Sequence, residues 1–135
     1  MSTFTFPARF EYLDEIRGHV AREARAAGFS DKAVYAVQLA ADEAASNIIE
    51  HAYAGRADAS FVMTCEYRKD RLIITFHDHG QSFDVSKVSN PDVKADLSER
   101  KIGGLGIYLM RKLMDEVQYK STGSENILTL TKRKA

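Results

Sequence analysis

The apolar residues of this chain change their spacing near residue 55, and this change constrains the fold more than any other feature of the sequence. Before that position they recur at intervals of three and four residues, which predicts one helix over residues 10–27 and a second over 30–54. After it, residues 60–67 and 71–77 are rich in β-branched and aromatic side chains and predict two strands joined by a hairpin. Two helices therefore precede most of the strands.

The remaining segments complete the architecture. Residues 2–6 alternate polar and apolar side chains as a short strand does, and the apolar run 107–117 has the spacing of a third helix. Residues 116–121 and 127–132 predict a closing hairpin. We therefore expect an α+β fold, a two-layer α/β sandwich with helices on one face of a mixed or antiparallel sheet.

Length and patterning limit the organisation of the chain. Its 135 residues are expected to form a single domain over residues 1–135, without room for a second catalytic unit. Residues 84–102 are polar, contain Pro91 and show no sustained period, which predicts a loop. Because structureless loops of this length are uncommon in small domains, we expect this one to have a function.

Charge and cysteine content exclude several partners. The 19 basic residues balance the 19 acidic residues, so the net charge attracts neither nucleic acid nor an anionic membrane surface. The strongest apolar run, residues 72–76, is far too short to cross a bilayer. Cys65 is the only cysteine, which excludes an internal disulfide and fits a reducing compartment. We expect a cytoplasmic protein that binds neither nucleic acid nor membranes.

A cluster of glycines, Gly103-Gly104-Leu105-Gly106, precedes the third helical run, and Lys101 lies just upstream. Glycine lets backbone amides approach a phosphate closely, and a following helix offers unpaired N–H groups and the positive end of its dipole. The cluster therefore indicates a phosphate-binding turn, with a purely structural turn as the alternative. It matches neither the P-loop nor the dinucleotide-binding glycine pattern.

The second helix carries Glu43 and Asn47, which lie four residues apart and so share one face. Asparagine is a poor residue for a helix interior, and an oxygen ligand for Mg²⁺ is one reason to find it there. A carboxylate one turn away can orient or deprotonate an attacking hydroxyl in phosphoryl transfer. The alternative is a solvated helical face on which both side chains are merely exposed.

The central hairpin ends in Asp78 and Gly80, where an apolar strand runs into a turn. A buried Asp78 can accept a hydrogen bond from an exocyclic amine such as that of adenine, and Gly80 lets a base lie against the backbone. The alternative is an ordinary Asp-X-Gly turn at the end of a strand.

The histidines His77 and His79 raise the question of a metal site, because residues two apart on a strand point to the same face. No third ligand is evident in the sequence. His51 and Cys65 qualify only if the fold brings them close, so histidines beside a polar pocket are the favoured interpretation.

These three segments, taken in chain order, resemble the ATP-binding fold shared by gyrase, the Hsp90 chaperones, histidine kinases and the MutL proteins. The helix with Glu43 and Asn47 resembles the N box, Asp78-X-Gly80 the first glycine box, and residues 103–106 the second. The resemblance implies that Asn47 holds Mg²⁺, that Asp78 contacts the adenine amine of ATP, and that the second glycine box wraps the phosphates.

Within that superfamily the chain is most similar to the anti-sigma-factor serine kinases, through segments 39–53 and 103–110. The resemblance implies that Glu43 is the catalytic base, that residues 84–102 form an ATP lid, and that the substrate is a serine of an anti-anti-sigma protein of the STAS type. It also implies a sigma factor as a second partner and a homodimeric state. Lys101, or the arginine before it, is expected to neutralise phosphate charge.

Two alternatives remain open from the sequence: a nucleotide-gated binding module that transfers no phosphate, and a scaffold that binds no nucleotide. Ser82 stands where the first glycine box usually has a second glycine or a close substitute. If that position needs a positive φ, a serine there is strained by about 1 kcal/mol or more, which would weaken ATP binding.

Overall fold

The computed structural model describes residues 1–54, 56, 58–81 and 104–134, with only the backbone of residues 104–106 included. Five strands form one sheet in the order β1-β2-β3-β5-β4, and every described pair is antiparallel. The strands are β1 Ser2–Pro7, β2 Ser60–Arg68, β3 Arg71–Asp78, β4 Glu116–Ser121 and β5 Asn126–Arg133. The helices are α1 Leu13–Ala26, α2 Asp31–Asn47 and α3 Gly104–Leu113. The expected α+β fold is confirmed, with an antiparallel sheet.

The core lies between the helices and one face of the sheet. On β3 the side chains of Ile74 and Phe76 are fully buried, and their cross-strand neighbours on β2 and β5 are buried as well. The helix α2 contacts both α1 and α3. The helices supply buried apolar residues at the predicted spacing: Ile16, Val20, Ala24, Val34, Val37, Ala41, Ala44, Ile48, Ile107 and Met110. Burying each large aliphatic side chain in this way stabilises the folded state by about 1.5–3 kcal/mol. Among the described helices, none has the length and apolar character of a membrane span.

The hairpin between β2 and β3 turns at Lys69 and Asp70, as the sequence predicts. Their φ angles are 53° and 61°, the positive values that a type I′ turn requires at both central residues. The backbone N–H of Lys134 donates a hydrogen bond of 2.8 Å to the Asp70 carbonyl and ties the end of β5 to this turn.

Three predicted helix bounds were wrong. A 3-10 turn of three residues precedes the first helix, which begins at Leu13. The second is α-helical only to Asn47 and then widens into a π-helical turn over Ile48–Ala52. The third occupies Gly104–Leu113, earlier than the apolar run over residues 107–117 predicts. Val117 lies in β4, which confirms the predicted strand over residues 116–121. The apolar run misled the helix prediction because the residues after the helix also pack against the core.

Candidate active site

The last turns of α2 carry Glu43 and Asn47. The helix begins where the Ser30 hydroxyl accepts a hydrogen bond of 3.2 Å from the Ala33 backbone N–H, which is the predicted N-cap. From that start, helical geometry leaves Glu43 half-buried and Asn47 buried, with 9% of its surface exposed. The alternative of a solvated helical face is therefore wrong for Asn47.

The buried Asn47 lacks a partner that its chemistry requires. Its amide nitrogen Nδ2 forms no hydrogen bond, and no other buried side-chain polar atom of the described residues shares this condition. An unsatisfied buried polar group costs about 1–3 kcal/mol, and asparagine is also unfavourable inside a helix. The amide offers both an N–H donor and an oxygen of the kind that Mg²⁺ prefers. Asn47 thus fits a site that is completed by a bound metal and nucleotide.

The surroundings of Glu43 make its carboxylate more basic. Burial raises the pKa of Glu43 above its ordinary value, and the nearby carboxylates of Asp42 and Glu50 raise it further. Asp42 is paired with Arg17 of α1, which also contacts Asp14. A carboxylate with a raised pKa takes up a proton more readily than a solvated one, which suits a general base.

At the end of β3, the Asp78 carboxylate is held in one orientation. Its Oδ1 accepts hydrogen bonds from the Gly80 backbone N–H at 2.9 Å and from Asn126 Nδ2 at 2.8 Å. Only 5% of the Asp78 surface is exposed. Among the described residues, none donates to Oδ2. The predicted Asp-X-Gly turn is present, and its carboxylate is also buried.

Sequence reasoning missed Asn126. This residue is 2% exposed and donates from Nδ2 both to Asp78 Oδ1 and, at 2.9 Å, to the Gly80 carbonyl oxygen. It lies directly opposite Asp78 in the pairing of β3 with β5. The available signal was an asparagine at the start of an otherwise apolar and β-branched strand, where this residue type is depleted.

The close approach of the chain after α2 explains Gly80. A Cβ atom at this position would lie 2.3 Å from the carbonyl oxygen of Ala52, which no backbone adjustment of a few tenths of an ångström relieves. The same carbonyl accepts a hydrogen bond of 2.6 Å from the Gln81 backbone N–H. Glycine is therefore needed to join the end of the π-helical turn to the Asp78 turn. The expected contact of Gly80 with a base stays a prediction.

Tyr53 ties the same elements together. The π-helical turn closes through a hydrogen bond of 3.0 Å from the Tyr53 N–H to the Ile48 carbonyl, and it brings the phenol between two other segments. The hydroxyl donates to the Ser60 carbonyl at 2.7 Å and accepts from the His79 backbone N–H at 2.9 Å. Burial raises the pKa of Tyr53. The wide turn thus fixes Asn47 relative to Asp78, and π-helical turns are frequent at functional sites.

The histidines serve as hydrogen-bonding residues. His77 Nδ1 lies 2.9 Å from Glu125 Oε1, and His79 Nδ1 lies 2.9 Å from the Ser124 carbonyl. In the part of the chain that the structure describes, no group of three or more His, Cys, Asp or Glu could hold a metal ion. Burial raises the pKa of the Cys65 thiol to about 12, which makes it unreactive.

The glycine cluster forms the start of α3. The helix begins at Gly104, so Leu105 and Gly106 belong to its first turn and do not precede it as predicted. The first four N–H groups of a helix have no partner within it, which keeps this segment suitable for phosphate. Gly103 and Lys101 lie outside the described residues, as do Ser82 and the predicted lid over residues 84–102.

Comparison with known proteins identifies the family. The family model of the histidine kinase-like ATPase domain matches residues 6–132. Over 132 residues the chain is 33% identical to the serine-protein kinase RsbW of Listeria monocytogenes, and the match covers 94% of this chain and 84% of the relative. The chain belongs to the RsbW serine-protein kinase family. The RsbW of Halalkalibacterium halodurans is 32% identical over 134 residues, which cover 95% of this chain and 80% of that one.

Solved structures agree with the RsbW assignment in fold. The SiaB–SiaC complex from Pseudomonas aeruginosa matches with a TM-score of 0.71 at 17% identity, covering 97% of this chain and 88% of that one. The RsbU and RsbW domains of a Mycobacterium tuberculosis protein match with a TM-score of 0.68 at 17% identity, covering 98% of this chain but 32% of the longer one. Membership in the RsbW family places the chain among the ATP-using serine kinases.

Proposed function

We propose that this chain is an anti-sigma kinase that transfers the γ-phosphoryl group of ATP to a serine of a STAS-type anti-anti-sigma protein. The observation that carries the proposal is the buried and unpartnered Asn47, one helical turn from the half-buried Glu43. Membership in the RsbW family supports the same activity.

The nucleotide lies between the end of β3, the last turns of α2 and the start of α3. Asp78 Oδ2 accepts a hydrogen bond from the adenine amine, because Oδ1 is already occupied by Gly80 and Asn126. The amide oxygen of Asn47 is the protein ligand for Mg²⁺, which when bound neutralises charge on the phosphates. The backbone amides of residues 103–106 and the side chain of Lys101 complete the phosphate side.

Glu43 acts on the incoming serine. Its carboxylate accepts the proton of the serine hydroxyl as the serine oxygen bonds to the γ-phosphorus and the bond to the β,γ-bridging oxygen breaks, which releases ADP. The raised pKa of Glu43 favours this proton transfer. Glu43 and Asn47 are held one turn apart by the same helix, so the base and the metal ligand keep a fixed separation.

The regulatory consequence follows from the substrate. Phosphorylation releases the STAS protein, and the chain then sequesters a sigma factor. We place this exchange in the cytoplasm, with the chain as a homodimer of single domains and residues 84–102 as a lid over the nucleotide.

Incubation with γ-labelled ATP, Mg²⁺ and purified STAS-domain proteins from the same genome tests the proposal. We expect a stable phosphoserine on one of them. Glu43→Gln should bind ATP normally and transfer phosphate at least about 100-fold more slowly. The matched control Glu15→Gln, an exposed carboxylate on α1, should transfer at nearly the normal rate. ATP binding without transfer to any STAS protein would indicate a nucleotide-gated binding module instead.

A further inference from the structure

Two large apolar side chains of α2 face outward. Tyr35 is 64% exposed and Leu39 is 36% exposed. Tyr35 forms no hydrogen bond or ring contact with any described residue, whereas the exposed Tyr67 on β2 donates to Asp70 and packs against Phe29. Tyr35 and Leu39, which we call the α2 patch, are therefore the large apolar side chains of α2 that the described part of the chain leaves exposed.

The α2 patch leads directly to Glu43. Tyr35, Leu39 and Glu43 follow one another at intervals of four residues, so they lie along one side of the helix. With a rise of 1.5 Å per residue, Leu39 is about 6 Å and Tyr35 about 12 Å from Glu43 along the helix axis. Asn47 lies about 6 Å from Glu43 in the opposite direction.

The chemistry of the transfer decides from which side a substrate arrives. In phosphoryl transfer the attacking oxygen and the leaving oxygen are roughly in line on opposite sides of the phosphorus. The proposed nucleotide site is on the Asn47 side of Glu43, because the turn after Asn47 contacts Gly80 next to Asp78. We therefore expect the serine to approach Glu43 from the side of the α2 patch.

Both residues of the α2 patch lie close enough to Glu43 to belong to one protein interface centred on it. A stable interface covers about 800 Å² on each partner, which corresponds to a disc of about 16 Å radius. A disc of this radius centred on Glu43 includes Leu39 and Tyr35. The paired Arg17 and Asp42 lie beside the patch and provide polar neighbours of the kind that surround an apolar interface centre.

We propose that the α2 patch is the docking surface for the protein whose serine is phosphorylated, a STAS-domain protein with apolar side chains beside that serine. This inference rests on the proposed function. The patch adds binding energy for the protein substrate only, and it has no part in nucleotide binding.

Steady-state phosphorylation kinetics with Tyr35→Ala, Leu39→Ala and the double variant test the inference. The substrate is the unphosphorylated form of the STAS-domain protein that the wild type phosphorylates. Because exposed residues tolerate truncation, we expect unchanged thermal unfolding and ATP affinity. KM for the STAS protein should rise about tenfold in each single variant at unchanged kcat, the effect of losing an interface anchor. Tyr67→Ala is the matched control. Tyr67 of β2 lies opposite Leu72 of β3, which is six residues or about 20 Å from Asp78 along the strand. The KM of this variant for the STAS protein should equal that of the wild type.

An unchanged KM in the double variant, with wild-type transfer intact, overturns the inference and leaves the proposed function standing. Absence of transfer by the wild type to any STAS protein overturns both. A variant with normal KM that no longer binds a sigma factor or no longer self-associates in size-exclusion chromatography assigns the patch to that other partner, and this outcome also overturns the inference.

Discussion

Replacing Asn126 by alanine tests whether β5 holds the Asp78 carboxylate in place. Asn126 Nδ2 donates to Asp78 Oδ1 at 2.8 Å and to the Gly80 carbonyl at 2.9 Å, and the residue is 2% exposed. A hydrogen bond to a carboxylate contributes about 1.5–3 kcal/mol and one to a neutral carbonyl about 0.5–1.5 kcal/mol. Because alanine removes the donor from both, we expect the free energy of unfolding to fall by about 3 kcal/mol.

Urea denaturation followed by circular dichroism measures this change, and thermal unfolding should show a midpoint about 10 °C lower. Thr131→Val is the matched control. Thr131 is on the same strand, on the opposite face and 6% exposed, and its hydroxyl forms no hydrogen bond with the described residues. We expect Thr131→Val to change the free energy of unfolding by less than about 1 kcal/mol.

The same variant also tests the nucleotide site. Without Asn126 the Asp78 carboxylate retains only the Gly80 N–H as a donor to Oδ1, so it is free to rotate away from the adenine amine. We expect the Kd for Mg-ATP, measured by calorimetry below the unfolding transition, to rise about tenfold, the loss of one hydrogen bond. A loss of stability under about 1 kcal/mol, or an ATP affinity equal to that of the wild type, would show that Asn126 does not hold the Asp78 carboxylate in place.

Three further variants test the other contacts of the site. Gly80→Ala forces a Cβ to within 2.3 Å of the Ala52 carbonyl, so the free energy of unfolding should fall by about 3 kcal/mol or more in denaturant titration; a loss under 1 kcal/mol contradicts this contact. Asn47→Leu removes the unpartnered amide, so calorimetry should show Mg-ATP binding abolished while stability is maintained or gains about 1 kcal/mol; normal binding contradicts the metal assignment. The pKa of Glu43 is raised from 4.5 by burial and neighbouring carboxylates, so the wild type loses stability as pH rises through that raised pKa. Glu43→Gln should therefore be slightly more stable at neutral pH, and the difference should close below pH 4.5, as unfolding titrations across that range will show.

The parts of the site that depend on local spacing could be predicted from the sequence. The four-residue interval between Glu43 and Asn47, the Ser30 cap and the buried stripe of α2 all follow from helical periodicity, and the structure contains them. The β2–β3 hairpin is equally local, because Lys69 and Asp70 alone form its turn. Hydrophobic spacing determines these features within one element.

The parts that depend on contacts between distant segments could not be predicted. Asn126 pairs with Asp78 only because β5 lies beside β3, and 48 positions separate the two residues in the sequence. The π-helical turn after Asn47 is accompanied by contacts of Tyr53 and Ala52 with the residues that follow β3. Helical spacing in the sequence does not reveal these contacts. The start of α3 at Gly104 was missed because glycine has a low helix propensity, which tertiary structure overrides here.

We expect Glu43 and Asn47 on α2 to form the catalytic side of an ATP-dependent serine kinase. The decisive measurement is single-turnover transfer from ATP to a STAS-domain serine, at saturating ATP, for the wild type and for Glu43→Gln. We expect phosphoserine formation by the wild type, a rate at least about 100-fold lower in Glu43→Gln, and ATP affinities that agree within about twofold. Transfer by Glu43→Gln at the wild-type rate would contradict this expectation.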